Sequence, residues 1–127
     1  MGKPITVKDT GVCFAFPDVC NTPSPSGSTP IPYPNVGQLS DAQGESGTVF
    51  VMRKPIIHSE SNIPTTIGDE AGSASPTKGK VEFATASKTV FCDDGKGVVR
   101  MFDTTTQNNG NAVGVVLGGV PTVLVGG

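Results

Sequence analysis

An all-β fold of short strands and tight turns is what this sequence predicts, on three observations. Its 127 residues include 17 glycines and 11 prolines, residues that punctuate strands and break helices. Only 16% of residues are charged and the net charge is −2, unlike disordered chains of similar Gly and Pro content, which combine low hydrophobicity with high net charge. No stretch carries a capped apolar period of 3.6 residues; the best short helix candidate is Gly68–Ala74, weakened by its Gly and Ser. One domain, residues 1–127, fits this length. Its apolar share of 35%, with no Trp, predicts a small core in need of further support.

The elements follow in order. Ile5 to Phe16 predicts a first strand region with a turn at Asp9–Gly11. Pro17 to Asn35 predicts a stiff, extended, polyproline-like strap around the single tyrosine, Tyr33, because each proline fixes φ and removes a donor. That excludes helix and nearly excludes a central strand. Val36–Gly47 is expected as a polar loop, and Thr48–Ile57 as a strand pair turning near Lys54–Pro55. Ser59–Lys80 is a long polar segment containing Gly68-Asp-Glu-Ala-Gly72, and Val81–Thr85 an alternating strand. Thr89–Asp103 is a second strand pair around Asp94-Gly95, Thr104–Asn111 a polar loop, and Val113–Val125 glycine-punctuated apolar strands.

A repeat runs through this pattern. Ser46-Gly-Thr-Val-Phe-Val51 aligns with Ser87-Lys-Thr-Val-Phe-Cys92; each is followed by a turn with Lys and a β-branched pair, Ile56-Ile57 or Val98-Val99. Pro121-Thr-Val-Leu-Val125 is a shorter echo. Three such units predict an internal pseudo-three-fold.

Composition also excludes functions. Arg occurs only at Arg53 and Arg100 and no basic cluster exists, so electrostatic capture of nucleic acid is not expected. Met1 to Thr10 is polar and mixed, without the pattern of a secretory leader. The most apolar run, Ala112–Val125, is too short and too broken by glycine for stable membrane insertion. Three cysteines, Cys13, Cys20 and Cys92, cannot make a complete disulfide framework, which favours free or metal-bound thiols.

The ordered set Cys20-Asn-Thr-Pro23, Pro30-Ile-Pro-Tyr-Pro-Asn35, Ser40-Asp41, Gly68-Asp-Glu-Ala-Gly72, Gly79-Lys80 and Val98-Val-Arg-Met-Phe-Asp103 resembles the PAAR-like domains that carry a Pro-Ile-Pro-Tyr motif, over about Phe16 to Asn109. The resemblance implies a small conical β-fold that caps and sharpens a trimeric spike protein of the VgrG kind in type VI secretion and related contractile injection systems. It implies a chain held in the bacterial cytoplasm before firing, then delivered outside the cell or into a target, often with an effector attached; with so few residues beyond the domain, that effector is expected to be a separate protein. It also implies zinc near the tip, yet His58 is the single histidine, and Thr106-Gln-Asn108 stands where relatives often have His-Asn. The ligands left for zinc are Cys13, Cys20, His58 and Cys92, with no Cys-x-x-Cys spacing; Cys92 fits a small buried strand residue equally well.

No catalytic residue is expected. Asp69 and Glu70 are adjacent, lack a partner base, and fit a turn that caps backbone donors. Cys20 as a nucleophile would need His58. Pro30, Ile31, Pro32, Tyr33, Pro34 and Asn35 are the expected partner-binding surface, with Tyr33 as anchor. The alternatives to a spike tip are a cargo adaptor and a small hydrolase using Asp69 or Cys20.

Overall fold

The computed structural model describes residues 2–127 and places twelve strands and one 3-10 turn in them. The strands are β1 (Lys3–Ile5), β2 (Val12–Ser24), β3 (Gly27–Gln38), β4 (Phe50–Val51), β5 (Lys54–Pro55), β6 (Asn62–Ile63), β7 (Val81–Phe83), β8 (Phe91–Cys92), β9 (Lys96–Gly97), β10 (Thr104–Gln107), β11 (Ala112–Leu117) and β12 (Val120–Val125). A six-stranded sheet has the order β3-β2-β11-β10-β7-β6, and three small hairpins stand apart from it: β1-β12, β4-β5 and β8-β9.

The three hairpins are copies of one another. Their registers match residue for residue: Phe50 faces Pro55 and Val51 faces Lys54, Phe91 faces Gly97 and Cys92 faces Lys96, and Leu124 faces Pro4 and Val125 faces Lys3. The third copy is therefore assembled from the last strand and the first. In the two internal copies the Ser46 and Ser87 hydroxyls accept from the amides two and three residues on, at 3.2 and 2.9 Å in each. Both turn residues of β4-β5, Met52 and Arg53, have φ near +60°, as a two-residue hairpin requires, so the turn falls there and not at Lys54–Pro55.

Behind each hairpin the chain enters a closed ring. Thr6 N donates to Val99 O (3.1 Å), Val99 N to Ile57 O (3.0 Å), and Ile57 N to Thr6 O (3.1 Å). A second set surrounds it: Lys8 N to Pro55 O, Ser59 N to Gly97 O, and Met101 N to Pro4 O, at 2.8–2.9 Å. Each of the three strands gives to one neighbour and takes from the other, which is the predicted pseudo-three-fold in hydrogen bonds.

Alternation along the ring strands feeds two cores. Ile5, Val7, Ile56 and Val98 join Cys92 and Val125 in one apolar cluster, with Val51 packed against it. Ile57 and Val99 point the other way, into a cluster with Cys13, Leu39, Ile63, Val81, Phe83 and Val116 beneath the large sheet. Cys92 thus occupies the place that Val51 and Val125 hold in the other hairpins.

Four expectations change. The strap from Pro17 is not polyproline-like: Pro17–Ser24 continues β2, and β3 pairs with it from Val12↔Gln38 to Ser24↔Gly27, with a register shift between Ala15 and Asp18 at the cis Phe16–Pro17 bond. Pro30, Pro32 and Pro34 share the strand side on which Val36 bonds outward to Ile67, so the missing donors lie on the edge of the sheet. Thr104–Gln107 is not a loop but an internal strand, and Gly68–Ala74 forms turns, not a helix. The expected Val36–Gly47 loop begins as the end of β3 and a 3-10 turn, Leu39–Asp41.

The packing predicts that Cys92→Val changes unfolding free energy by less than about 1.5 kcal/mol, as a near volume-conserving swap, whereas Ile57→Ala costs about 2–5 kcal/mol. Urea denaturation of the two variants separates an apolar role for Cys92 from one that needs its sulfur.

Candidate functional site, a buried carboxyl and amide cluster

Asp18 and Cys20 face inward on β2 because the register shift before Asp18 restores alternation past the Phe16–Pro17 bond. Asn35 faces them from β3, Thr66 and Asp69 arrive from the loop between β6 and β7, and Gln107 and Asn108 from the end of β10; all seven are buried. Two glycines allow the approach. A Cβ on Gly72 would lie 2.3 Å from Cys20 Cβ, and Gly68, at φ +111°, lies against the Pro34 carbonyl.

Asn35 is the hub. Its Nδ2 donates to Asp18 Oδ2 (3.1 Å), Asp69 Oδ2 (3.2 Å) and Thr66 Oγ1 (2.8 Å), while its Oδ1 accepts from Gln107 Nε2 (2.8 Å). Gln107 Nε2 also donates to the carbonyls of Cys13 and Asn35, and its Oε1 accepts from Thr105. Asn108 donates to Asp18 Oδ1 (3.2 Å) and Pro76 O (3.0 Å), and accepts from Gly79 N (3.0 Å). Asn111 donates to Asp18 and to Val19 O, and Lys78 N donates to Asp69 Oδ1 (3.1 Å).

The two carboxyls stand within 4.8 Å of each other, and their repulsion when both are charged favours a proton on one of them. Burial, with Asp18 beside it, pushes Asp69 up to about 6. Burial opposes ionisation of Asp18 too, but the bonds from Asp69, Asn111, Asn108 and Cys20 hold it below the ordinary carboxylate value. Cys20 gives its S–H to Asp18 Oδ1 at 3.5 Å; burial and that neighbouring charge push the thiol up to about 11. It is a protonated donor, the opposite of an activated nucleophile.

The four residues left for zinc do not come together as a set. Cys13 lies in the core under the sheet, pushed up to about 12 by burial, and Cys92 lies in the hairpin core. His58 Nδ1 accepts from Glu60 N (3.1 Å) while Nε2 lies 3.9 Å from Asp93, and burial, then Lys96, lowers its pKa. Among the described residues, the one group of three potential ligands within reach of a common ion is Asp18, Cys20 and Asp69, of which sequence reasoning named only Cys20 as a ligand. This group is an Asp-Cys-Asp set with ligand atoms within 4.8 Å of one another. It offers one thiol and two carboxylates, and a metal bound there would have to displace the thiol proton and compete with the amide donors of Asn35, Asn108 and Asn111 for the carboxylate oxygens.

Of the expected partner surface, Asn35 is fully buried and the Tyr33 hydroxyl is tied to Thr22 Oγ1 at 2.6 Å, which leaves Pro30, Ile31, Pro32 and Pro34 exposed. As expected, both carboxylates of the glycine turn accept from backbone donors, Glu70 from Gly68 N at 2.7 Å and Asp69 from Lys78 N at 3.1 Å, but Asp69 does so inside the buried cluster. Sequence reasoning missed Asp18, Thr66 and the structural roles of Gln107 and Asn108. Inward alternation with Cys20 was the available signal for Asp18.

This is a β-domain in which the residues that carry the resemblance converge on one buried polar cluster. A family model described as "Toxin PAAR-like domain" matches residues 11–114, and the chain belongs to that family. It is 39% identical over 112 residues to "DNase toxin Tse7" of Pseudomonas aeruginosa, an alignment that covers 79% of this chain and 29% of that protein. No solved structure matches it. No helix among the described residues is long and apolar enough to cross a membrane.

Asn35→Ala removes the shared donor from two buried carboxyls and strands Gln107; it is expected to lower unfolding free energy by on the order of 3 kcal/mol, measured by denaturant unfolding. Asp69 sets a pH dependence. Its folded value, about 6, lies above the ordinary 3.8, so its stabilisation is complete below 3.8 and lost as pH rises through about 6. Asp18, shifted the other way, loses its share only at acid pH. The melting midpoint is therefore expected to fall between pH 5 and pH 7.5, to flatten in Asp69→Asn, and not to respond to EDTA.

Proposed function

We propose that this chain is a single non-enzymatic domain that caps the trimeric spike of a type VI secretion or related contractile injection system. The observation that carries this reading is the ring of Thr6, Ile57 and Val99, in which one asymmetric chain presents three near-equivalent strands. A single chain whose surface repeats a three-fold can meet all three subunits of such a partner in near-equivalent ways. Membership of the toxin PAAR-like family supports the same reading.

The polar core supports a mechanical role over chemistry. Its carboxyls accept from amides, and burial beside Asp18 holds its thiol protonated. Prolines along the β3 edge keep a long hairpin from pairing with other chains.

The relative named as a DNase toxin favours a linked second role. Only 29% of that protein aligns with this chain. In our reading the aligned segment is its delivery portion, the nuclease lies outside it, and this domain brings a toxin to the spike, in cis or by binding a separate effector. Metal-dependent folding is not part of this reading.

Purified chain mixed with the trimeric spike protein of the same secretion system is expected to form a complex of one chain per trimer, read by native mass spectrometry. Nuclease activity on plasmid DNA is expected to be absent from residues 1–127. Binding of an effector but never of the trimer would favour the adaptor.

A further inference from the structure

Among the described residues, no element of the chain covers the outer face of the large sheet, and that face is apolar. Ile67, Val36, Phe14, Val115 and Thr104 are neighbours across its strands, matched by register. Their strand neighbours Cys13, Ala15, Val116 and Thr105 are buried, so alternation turns this row outward. Phe14, Phe16, Val113 and Ile67 are 37%, 57%, 69% and 49% exposed. On the long hairpin, Val19 faces Pro32 and both are exposed on the same side. The strands β3, β2, β11 and β10 hold one charged residue between them, Asp18, and it points into the buried cluster. The nearest outward charge, Glu82 on β7, lies at the margin.

With strands about 4.8 Å apart and residues about 3.4 Å apart along them, the four strands and the long hairpin present a footprint of roughly 600 Å². Monomeric proteins rarely leave a contiguous apolar patch of that size in water. Side-chain relief brings it close to the share of a standard interface, about 800 Å² per partner. We infer that this face pairs with the same face of a second copy, giving a two-fold symmetric, face-to-face sheet dimer of the free chain. Three observations select a second copy. The area suffices. The face carries no charge, so two copies meet without like-charge repulsion and with no ion to desolvate, whereas nucleic acid or an anionic membrane would find no cation there. The edge-to-edge route is closed as well: Pro30, Pro32 and Pro34 remove donors from the β3 edge, and the opposite edge strand, β6, is two residues long. Two sheets stacked about 10 Å apart would interdigitate Phe14, Phe16 and Val113 across the two-fold. Ile57 and Val99 point towards this sheet while Ile56 and Val98 point into the hairpin cluster, so the dimer leaves the hairpins open. The inference does not depend on the spike-tip reading.

The test is sedimentation velocity of the purified chain over a wide range of concentration, with melting curves on every variant. The 12.9 kDa chain is expected to sediment at twice that mass and to dissociate on dilution, with little effect of added salt. Val113→Lys is expected to raise the dissociation constant about 100-fold, because the two-fold places each substitution in the interface twice, at about 10-fold each. Phe14→Ser is expected to act likewise and stands in if Val113→Lys fails to fold. Phe50→Ser, on a hairpin, is expected to leave the dimer intact. A wild-type chain that stays monomeric throughout overturns the inference, even where a toxin or another protein then proves to cover the face. So does a dimer that keeps wild-type affinity in folded Val113→Lys and Phe14→Ser, which would put the contact elsewhere.

Discussion

The architecture depends on a ring of three main-chain hydrogen bonds. Thr6, Ile57 and Val99 each give one and take one, so the ring closes only when all three strands are present. The amides lie between two apolar clusters, where an unpaired N–H costs roughly 1–3 kcal/mol. Loss of one strand would orphan groups on both others. This couples residues more than 90 positions apart and makes the first and last strands part of the fold's centre. The hairpins, the two cores and the large sheet are all hung on that closure.

Symmetry in the ring creates a hazard, because three similar strands could exchange places. Side chains at matched positions remove the ambiguity. Thr6 stands where the others have Ile57 and Val99, and its hydroxyl donates to Gly118 O at 2.8 Å. Val7, His58 and Arg100 are also matched, yet only Arg100 forms a double ion pair, with Asp103 at 2.8 and 3.0 Å. A polar group satisfied at one corner would be unsatisfied at either of the other two, so each strand has one place.

Much of this was legible in the sequence, and the rest was hidden for definable reasons. The two internal hairpins were visible through their shared Thr-Val-Phe pattern; Asp94-Gly95 marked one turn, whereas Met52 and Arg53 gave no turn signal and the other was misplaced. The third was visible only as an echo in Thr122–Val125, because its second strand is Lys3–Ile5, at the far end of the chain. Strand β10 was hidden because the interior it faces is polar: Thr105 and Gln107 are buried against Asn35, so alternation of apolar and polar residues could not reveal it. Prolines at every second position of β3 looked like polyproline geometry. The same period of two is also the mark of a strand edge, and only the partner strand distinguishes them. Asp69 looked like a turn residue since its neighbours are glycines, but those glycines serve the close approach of Pro34 and Cys20.

The family's signature and the ring lie in different parts of the molecule. Cys20, Asn35, Asp69, Gly72 and Gly79 converge on one cluster, and the matched segment, 11–114, omits both strands of the third hairpin. Backbone bonds place weak demands on residue type, whereas a buried set of carboxyls, amides and close glycines specifies nearly every position. The recognisable motif therefore reports the polar core. The symmetric surface carries only a β-branched pair, an apolar side chain and a lysine per copy. A chain can consequently keep its family signature while its hairpins vary, as Phe91 and Leu124 do at matched positions within this one chain.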